Sequence, residues 1–172
     1  MMTPQSVARD VFLVGVKNAH AMEKQALSIM EPQVQRLEHY PEVSRKLQQH
    51  ISETNDQIER LNKILADAGH SPSSMKDAFL SAMGGMASMG HMPAGDEVLK
   101  NSFANYAFEN YEIAAYIGLI ASANMAGESA AVPVLQQSLG EEQQMARWIQ
   151  EHLSEVTQAF ISRSASGTRA DV

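Results

Sequence analysis

The chain has 172 residues, of which 44% are apolar and 19% charged, enough apolar sequence to form the core of one domain without disulfides. Its 13 basic and 20 acidic side chains give a net charge of −7, which excludes a general attraction to nucleic-acid phosphates or anionic lipid. The absence of cysteine excludes thiol catalysis and thiolate metal sites.

The apolar pattern predicts an all-α fold. Ala, Leu, Met, Glu and Gln recur at spacings of three and four, and β-branched residues nowhere alternate with polar ones over the length of a strand. No run of about 18 apolar residues occurs, and the first residues lack the basic region of a secretion signal. We therefore expect a cytoplasmic protein with no membrane segment.

The first two predicted helices form an antiparallel hairpin. One helix runs from Pro4 to about Leu37, with Pro32 expected to kink or break it. The turn follows at residues 39–41, and the second helix ends at Gly69, a suitable residue for the position after a C-cap. The apolar positions of the first helix are Val7, Val11, Val14, Ala19, Met22, Ala26, Ile29 and Met30.

Residues 69–95 are predicted to form a long crossover rather than a domain linker. The segment contains a short helix from about Met75 to Ser88 and then a run rich in helix breakers. A crossover of this length allows the third helix to run parallel to the second, as in bundles of the ferritin type. The alternative is an up-down-up-down order, in which so long a crossover would not be needed. The methionines that recur every third residue in it are expected to pack against the bundle: Met83, Met86, Met89 and Met92.

The third helix is predicted from about Asp96 to Gly127, with Phe103 among its inward positions. Residues 130–133 open the fourth helix, whose apolar positions extend to Phe160. We expect residues 1–163 to form the bundle and residues 164–172 to form a disordered tail.

Paired glutamates are the main functional signal. In a tight antiparallel hairpin, residues equally far from the turn lie at the same height, because both helices rise by about 1.5 Å per residue. Glu23 and Glu53 are equally spaced about the first turn, and Glu112 and Glu142 about the second. The sequence therefore predicts four carboxylates at a common level inside the bundle.

Two divalent metal ions would compensate these carboxylates, since an uncompensated buried charge costs several kcal/mol. His20 and His50 each precede one of the glutamates by three residues, and Glu109 precedes Glu112 by three, so all are further ligand candidates. Carboxylates with imidazoles and no thiolate favour iron or manganese over zinc.

The ordinary alternative is that these side chains are solvated or salt-bridged, since glutamate is common on helices. Each histidine alone is more often structural than a ligand, and His39, His91 and His152 are interpreted as structural. Asp56 either coordinates metal or faces water, and Tyr111 and Trp148 are expected to pack internally or at a partner surface.

Four segments resemble the YciE/YciF-like family of bacterial ferritin-like proteins, and the resemblance extends over roughly residues 7–162. These segments are residues 19–27 (AHAMEKQAL), 50–61 (HISETNDQIERL), 108–116 (FENYEIAAY) and 141–148 (EEQQMARW). The resemblance implies a rubrerythrin-related four-helix bundle, a homodimer and an association with stress responses.

The resemblance also implies a dinuclear metal site. Carried over by position, its ligands fall on Glu23, Glu53, Glu112 and Glu142, with His50 and Glu109 as further candidates. Ferritins and rubrerythrins usually carry Glu-x-x-His on two helices. Here Asp56 and Met145 stand in the histidine positions, and methionine is a poor ligand for a hard metal ion.

The leading hypothesis is a homodimeric bundle with a dinuclear iron or manganese site that reacts with peroxide or dioxygen. In it, Glu53 and Glu142 bridge the metals and Glu23 and Glu112 are terminal ligands. The alternative is a structural or interaction protein that has lost productive metal chemistry. A third hypothesis is a binder of a small apolar ligand between the helices. The aromatic residues expected at a dimer interface are Tyr106, Tyr111 and Tyr116.

Overall fold

The computed structural model describes residues 3–70 and 95–171, and the described part of the chain is all-α. Its four helices are α1 (Pro4–Val34), α2 (Pro41–Asp67), α3 (Glu97–Ala126) and α4 (Val132–Ala165). The short helix predicted within the crossover lies outside the described residues. Among the helices that are described, none combines the length and the hydropathy needed to cross a bilayer.

The helix ends follow local signals in the sequence. Thr3 caps α1 by accepting a hydrogen bond from the backbone N–H of Ser6 over 3.1 Å. Pro32 lies in the last turn of α1, which continues through it and ends two residues later. Gly69 and Gly127 follow α2 and α3 with φ of +79° and +82°, a left-handed conformation that glycine adopts without a Cβ penalty.

The packing order of the helices fixes their directions. Helix α1 packs on α2 and α3, and α4 packs on α3 and α2. Gln5 contacts Ala126 while Gln33 contacts Asn105, so α1 and α3 run antiparallel. Since α1 is also antiparallel to α2 across their short turn, α2 and α3 are parallel, which confirms the ferritin-like arrangement predicted from the crossover.

The core consists of two apolar layers with a polar layer between them. Towards one end of the bundle lie Phe12, Val16, Leu61, Leu65, Leu119 and Leu135. Towards the other end lie Met30, Leu47, Phe108 and Ile149. Glu23 of α1, Glu109 and Glu112 of α3 and Glu142 of α4 fall between these layers in the sequence of each helix. Their carboxylates are therefore shielded from water at both ends.

The first turns of α1 differ from the predicted pattern. Val7, Val11 and Val14 are 44%, 56% and 57% exposed, and the buried positions are instead Ala8, Phe12 and Val16. The close approach of α3 explains this rotation, because a Cβ at Gly15 would lie 2.9 Å from a methyl group of Leu119. Phe103 of α3, also predicted inward, is 53% exposed.

The residues after α4 contact the bundle over the part that the structure describes. Helix α4 continues to Ala165, and the segment after it returns to the bundle. The Tyr40 hydroxyl donates a 2.6 Å hydrogen bond to the Ala170 carbonyl, and the Val98 N–H donates to the Asp171 carbonyl over 3.0 Å. These contacts offset the entropy of ordering the segment, which its composition alone does not indicate.

A buried amide pair between α1 and α3 provides a test of this register. Gln33 and Asn105 donate to each other's carbonyl oxygens over 3.1 and 2.8 Å. Asn105→Ala leaves the Gln33 amide buried and unpaired, so we expect a loss of about 2 kcal/mol in the free energy of unfolding, measured by urea denaturation. The double variant Gln33→Met/Asn105→Leu should lose less than Asn105→Ala. A larger loss in the double variant would contradict this reading.

Candidate metal centre

A cluster of buried ligand side chains occupies the polar layer. His50 of α2, Glu109 and Glu112 of α3 and Glu142 of α4 each offer one ligand atom, and these four atoms lie within 4.8 Å of one another. None of the four residues is more than 2% exposed. The arrangement has the donor types and the spacing of a metal site that three helices share.

Helix periodicity explains how α3 contributes two of these residues. Glu109 and Glu112 are three residues apart and therefore lie on the same face, one turn above the other. Tyr116 follows on that face one turn later and is completely buried. Helix α1 brings Glu23 to the same region, where its carboxylate accepts a 2.6 Å hydrogen bond from the Tyr116 hydroxyl.

His50 is held between carboxylates on both sides of its ring. Nδ1 lies 3.1 Å from Glu53 Oε2, and Nε2 lies 3.3 Å from both Glu109 Oε2 and Glu142 Oε2. Burial lowers the pKa of His50, but the charge of Glu109 and the contacts with Glu142 and Glu53 outweigh burial and raise the pKa well above its usual value. The imidazolium is thus the only cation placed directly among these carboxylates by the described contacts.

Most ligand atoms of the cluster lack a hydrogen-bond partner. Both carboxylate oxygens of Glu112 and of Glu142 are buried and accept no hydrogen bond, although buried polar groups are normally hydrogen-bonded, and only Oε2 of Glu142 has an ion-pair contact, with His50. One oxygen of Glu23, one of Glu109 and Nε2 of His50 are in the same state. A divalent cation would satisfy these lone pairs, which makes their orphaned state evidence that the residues fit a metal.

Burial dominates the electrostatics of the carboxyl groups. Burial first, and then the charge of Glu142, raise the pKa of Glu23 well above its usual value, against the hydrogen bond from Tyr116. Burial and the charge of Glu23 do the same to the pKa of Glu112. Burial also raises the pKa of Glu109 to about 7, although His50 opposes the rise. Without a cation, burial therefore favours the protonated form of Glu23, Glu109 and Glu112.

A hydrogen-bonded network beside the cluster fastens α2 to α4. Arg60 donates to both oxygens of Glu141 over 2.7 and 2.8 Å, and to the hydroxyl of Ser138 over 3.0 Å. The buried amide of Gln57 also donates to Glu141, over 3.0 Å. Because Glu141 precedes Glu142, this network determines where α4 presents Glu142 to the other ligands.

The sequence-predicted residues divide into two groups in the structure. Glu112, Glu142, His50 and Glu109 come together, with Glu23 hydrogen-bonded at their side. Glu53 lies at the edge, with its side chain 25% exposed and bonded to His50 and Gln49, so His50 occupies the inner position on α2.

His20 also lies outside the cluster. Its neighbours are Lys24, Glu59 and Asn62, and burial followed by the charge of Lys24 lowers its pKa. Of the two residues that replace the usual ferritin histidines, Asp56 is exposed and Met145 is 1% exposed. Asp56 does not belong to the group of clustered ligands.

Tyr116 is the site residue that sequence reasoning missed. The sequence suggested Tyr116 as an exposed interface residue, but it is buried, and Tyr106 is half-buried and donates to Gln150. Only Tyr111 of the three, at 52% exposure, is available on the surface. The spacing of four between Glu112 and Tyr116 was the available signal, since it places both on one face.

The raised pKa of Glu109 gives a pH prediction for the metal-free protein. A carboxyl group whose folded-state pKa is raised binds more protons in the folded state, so stability falls as pH rises from 4.5 to about 7. A shift of this size corresponds to about 3 kcal/mol, or a melting temperature lower by roughly 10 °C. Calorimetry after chelation should show this fall, with a weaker pH dependence in Glu109→Gln. Equal pH dependence in the two proteins would contradict it.

Comparison with known proteins agrees with the fold. Residues 7–162 match the family described as a domain of unknown function, DUF892. A Xanthomonas campestris pv. campestris protein of known structure is 31% identical, with a TM-score of 0.76 over 92% of this chain and 99% of that one.

Two further structures are similar in fold. YcfI from Rhodopseudomonas palustris is 25% identical, with a TM-score of 0.65 over 83% of this chain and 92% of its own. The E. coli stress protein YciF is 22% identical, with a TM-score of 0.67 over 89% and 96%. The four-helix architecture, the match along most of the chain and the structural neighbours together establish that this protein belongs to the DUF892, or YciE/YciF-like, family.

Proposed function

We propose that this protein binds two iron or manganese ions in the buried cluster and that the loaded protein reacts with peroxide or dioxygen. The observation that carries the proposal is the set of orphaned ligand atoms on Glu112, Glu142, Glu109, Glu23 and His50. A bundle core that lacked a function for these groups would gain stability from apolar side chains in their place.

Charge balance supports two ions rather than one. Glu23, Glu109, Glu112 and Glu142 carry up to four negative charges in a layer closed by apolar side chains. Two divalent cations neutralise four carboxylates when His50 is a neutral ligand. The mixture of carboxylates with one imidazole and no thiolate favours iron or manganese.

The residues of the cluster have distinct roles in this proposal. His50, Glu109, Glu112 and Glu142 would hold the first ion, and Glu23 is the further buried carboxylate for the second. Bound iron or manganese would supply the electrons that reduce the oxidant.

The surrounding groups position these ligands. Glu53, by accepting from Nδ1 of His50, would leave Nε2 free to face the metal. Tyr116 would orient the carboxylate of Glu23 through its hydrogen bond. The apolar layers would keep bulk water away from the reacting groups.

The biological setting is also part of the proposal. YciF of E. coli is described as a stress protein, and this likeness supports a role for the present protein in a bacterial stress response. We place that role in the cytoplasm.

A homodimer is the partner state that we propose. Every exposed residue of α3 from Phe103 to Met125 is uncharged, because the two charged residues of that stretch, Glu109 and Glu112, are buried. Gly15 of α1 approaches Leu119 of α3 closely. The exposed valines of α1, which precede Gly15, therefore lie beside the C-terminal half of this α3 face. Such a face is suited to packing against its own copy about a two-fold axis.

A structural role without metal chemistry is the second candidate function. The exposed position of Asp56 and the presence of Met145 in place of the usual ferritin histidines favour it. In this case, removing the buried carboxylates would leave the stability of the protein unchanged or increase it, and added metal would have no effect on the melting temperature.

Metal content and reactivity test the leading proposal. Protein from cells supplied with iron and manganese should contain about two ions per chain, and Glu112→Gln/Glu142→Gln should contain almost none, because four of the orphaned oxygens are replaced by neutral amides. The iron(II)-loaded protein should show a peroxide-dependent absorbance change in stopped flow that is roughly tenfold faster than that of the double variant.

Glu59→Gln is the matched control, since it removes an exposed carboxylate from α2 and should leave metal content unchanged. Added iron(II) or manganese(II) should raise the melting temperature of the parent protein and of Glu59→Gln but not that of the double variant. A parent protein that neither retains metal nor gains stability from it would support the structural role instead.

The oligomeric state tests the proposed dimer. Charged side chains on the apolar face would be buried without partners on association, so Val14→Glu/Ile117→Glu should be monomeric in analytical ultracentrifugation at a concentration where the parent is dimeric. Gln143→Glu, at an exposed position of α4, is the control and should remain dimeric. A monomeric parent protein, or a double variant that still dimerises, would refute this interface.

A further inference from the structure

A cleft on the outer surface is lined by none of the clustered metal ligands. The cleft lies between the turn that opens α2 and the second half of α4, and its volume is about 340 Å³. Tyr40 and Val156, 5% and 8% exposed, belong to its apolar lining. A volume of this size is typical of small-ligand sites, so we refer to it as the Trp148 cleft after its aromatic wall.

The aromatic wall of the Trp148 cleft is preorganised. The rings of Trp148 and His152 are stacked, with centroids 4.2 Å apart and planes inclined by 18°. Nδ1 of His152 donates a 2.8 Å hydrogen bond to the Trp148 carbonyl, which fixes the position of the imidazole ring. Tyr40, which also lines the cleft, donates a hydrogen bond from its hydroxyl to the Ala170 carbonyl. A ligand would therefore meet aromatic side chains that are already ordered.

The carboxylates are the charged groups that line the Trp148 cleft itself. Glu42 and Glu155 line the cleft, and no lysine or arginine does. Within residues 3–70 and 95–171, neither carboxylate forms an ion pair. Carboxylates beside an aromatic wall and an apolar floor form a suitable site for an organic cation, which gains both charge attraction and contact with aromatic rings.

A neighbouring cleft of about 200 Å³ would determine how a cationic ligand is oriented in the site. It shares Trp148, His152 and Glu42 with the first cleft, but it is also lined by Arg45 and Lys46. Glu155 lines only the first cleft. A cationic group would thus be repelled from the side of Arg45 and Lys46 and attracted towards Glu155.

We propose that the Trp148 cleft binds a small organic amine that carries an apolar or aromatic body, with Glu155 as its counter-ion. The amine nitrogen lies on the Glu155 side, and its body covers Tyr40, Val156 and the indole of Trp148. This site is independent of the metal cluster, because none of the clustered metal ligands lines it.

Trp148 provides a direct readout, because it is the only tryptophan in the chain. The full-length protein is titrated with phenethylammonium, and with 2-phenylethanol and phenylacetate as neutral and anionic analogues of similar shape. We expect a saturable change in tryptophan fluorescence with phenethylammonium, confirmed by calorimetry. The neutral analogue should bind roughly fivefold more weakly, and the anionic analogue should not bind measurably.

Glu155→Gln should weaken phenethylammonium binding roughly fivefold. Glu151→Gln is the matched control: it makes the same change at an exposed position one turn earlier on α4, outside the cleft lining, and should bind as the parent does. Equal affinities for the three probes, equal weakening in the two variants, or neither a fluorescence change nor heat with phenethylammonium would overturn the proposal.

Discussion

Burial of carboxylates in the middle of a helical bundle is the constraint on which the rest of this structure depends. Glu23, Glu112 and Glu142 are at most 1% exposed and retain orphaned oxygens, a state that is costly unless the groups are protonated or bind a cation. The pKa values of Glu23 and Glu112 are raised because burial disfavours their charged forms. The buried carboxylates destabilise the middle of the bundle, and the apolar packing on both sides of them offsets this cost.

The hydrogen bonds that hold the cluster residues in place come mostly from helices that are distant in sequence. Tyr116 hydrogen-bonds to Glu23 from α3, and Glu53 bonds to the far side of the His50 ring. Arg60 connects α2 to α4 through Glu141, next to the buried Glu142. Each ligand-bearing helix is thus fixed by an interaction just outside the ligands, as a site that must keep its geometry requires.

The outer surface has two further features, an uncharged face on α3 and the Trp148 cleft between α2 and α4. Helix α3 presents a long uncharged face, bordered by Val7, Val11 and Val14, which suits a large apolar interface. The surface between α2 and α4 instead combines the Trp148–His152 stack with Glu42 and Glu155, which suits a small cationic ligand. These surfaces lie on different helix pairs, so a partner on the first leaves the second accessible.

The sequence by itself determined the four helices, the glycine-terminated ends of α2 and α3, and the inward positions of Glu23, Glu112 and Glu142, and it favoured the parallel relation of α2 and α3. Those properties follow from helical periodicity and from local backbone preferences. Only the tertiary structure decided that His50 rather than Glu53 takes the inner position on α2, that Tyr116 is buried, and that the end of the chain packs on Tyr40. Periodicity identifies a face of a helix, but its rotation and its neighbours at each level depend on close packing against the other helices, as Gly15 against Leu119 illustrates.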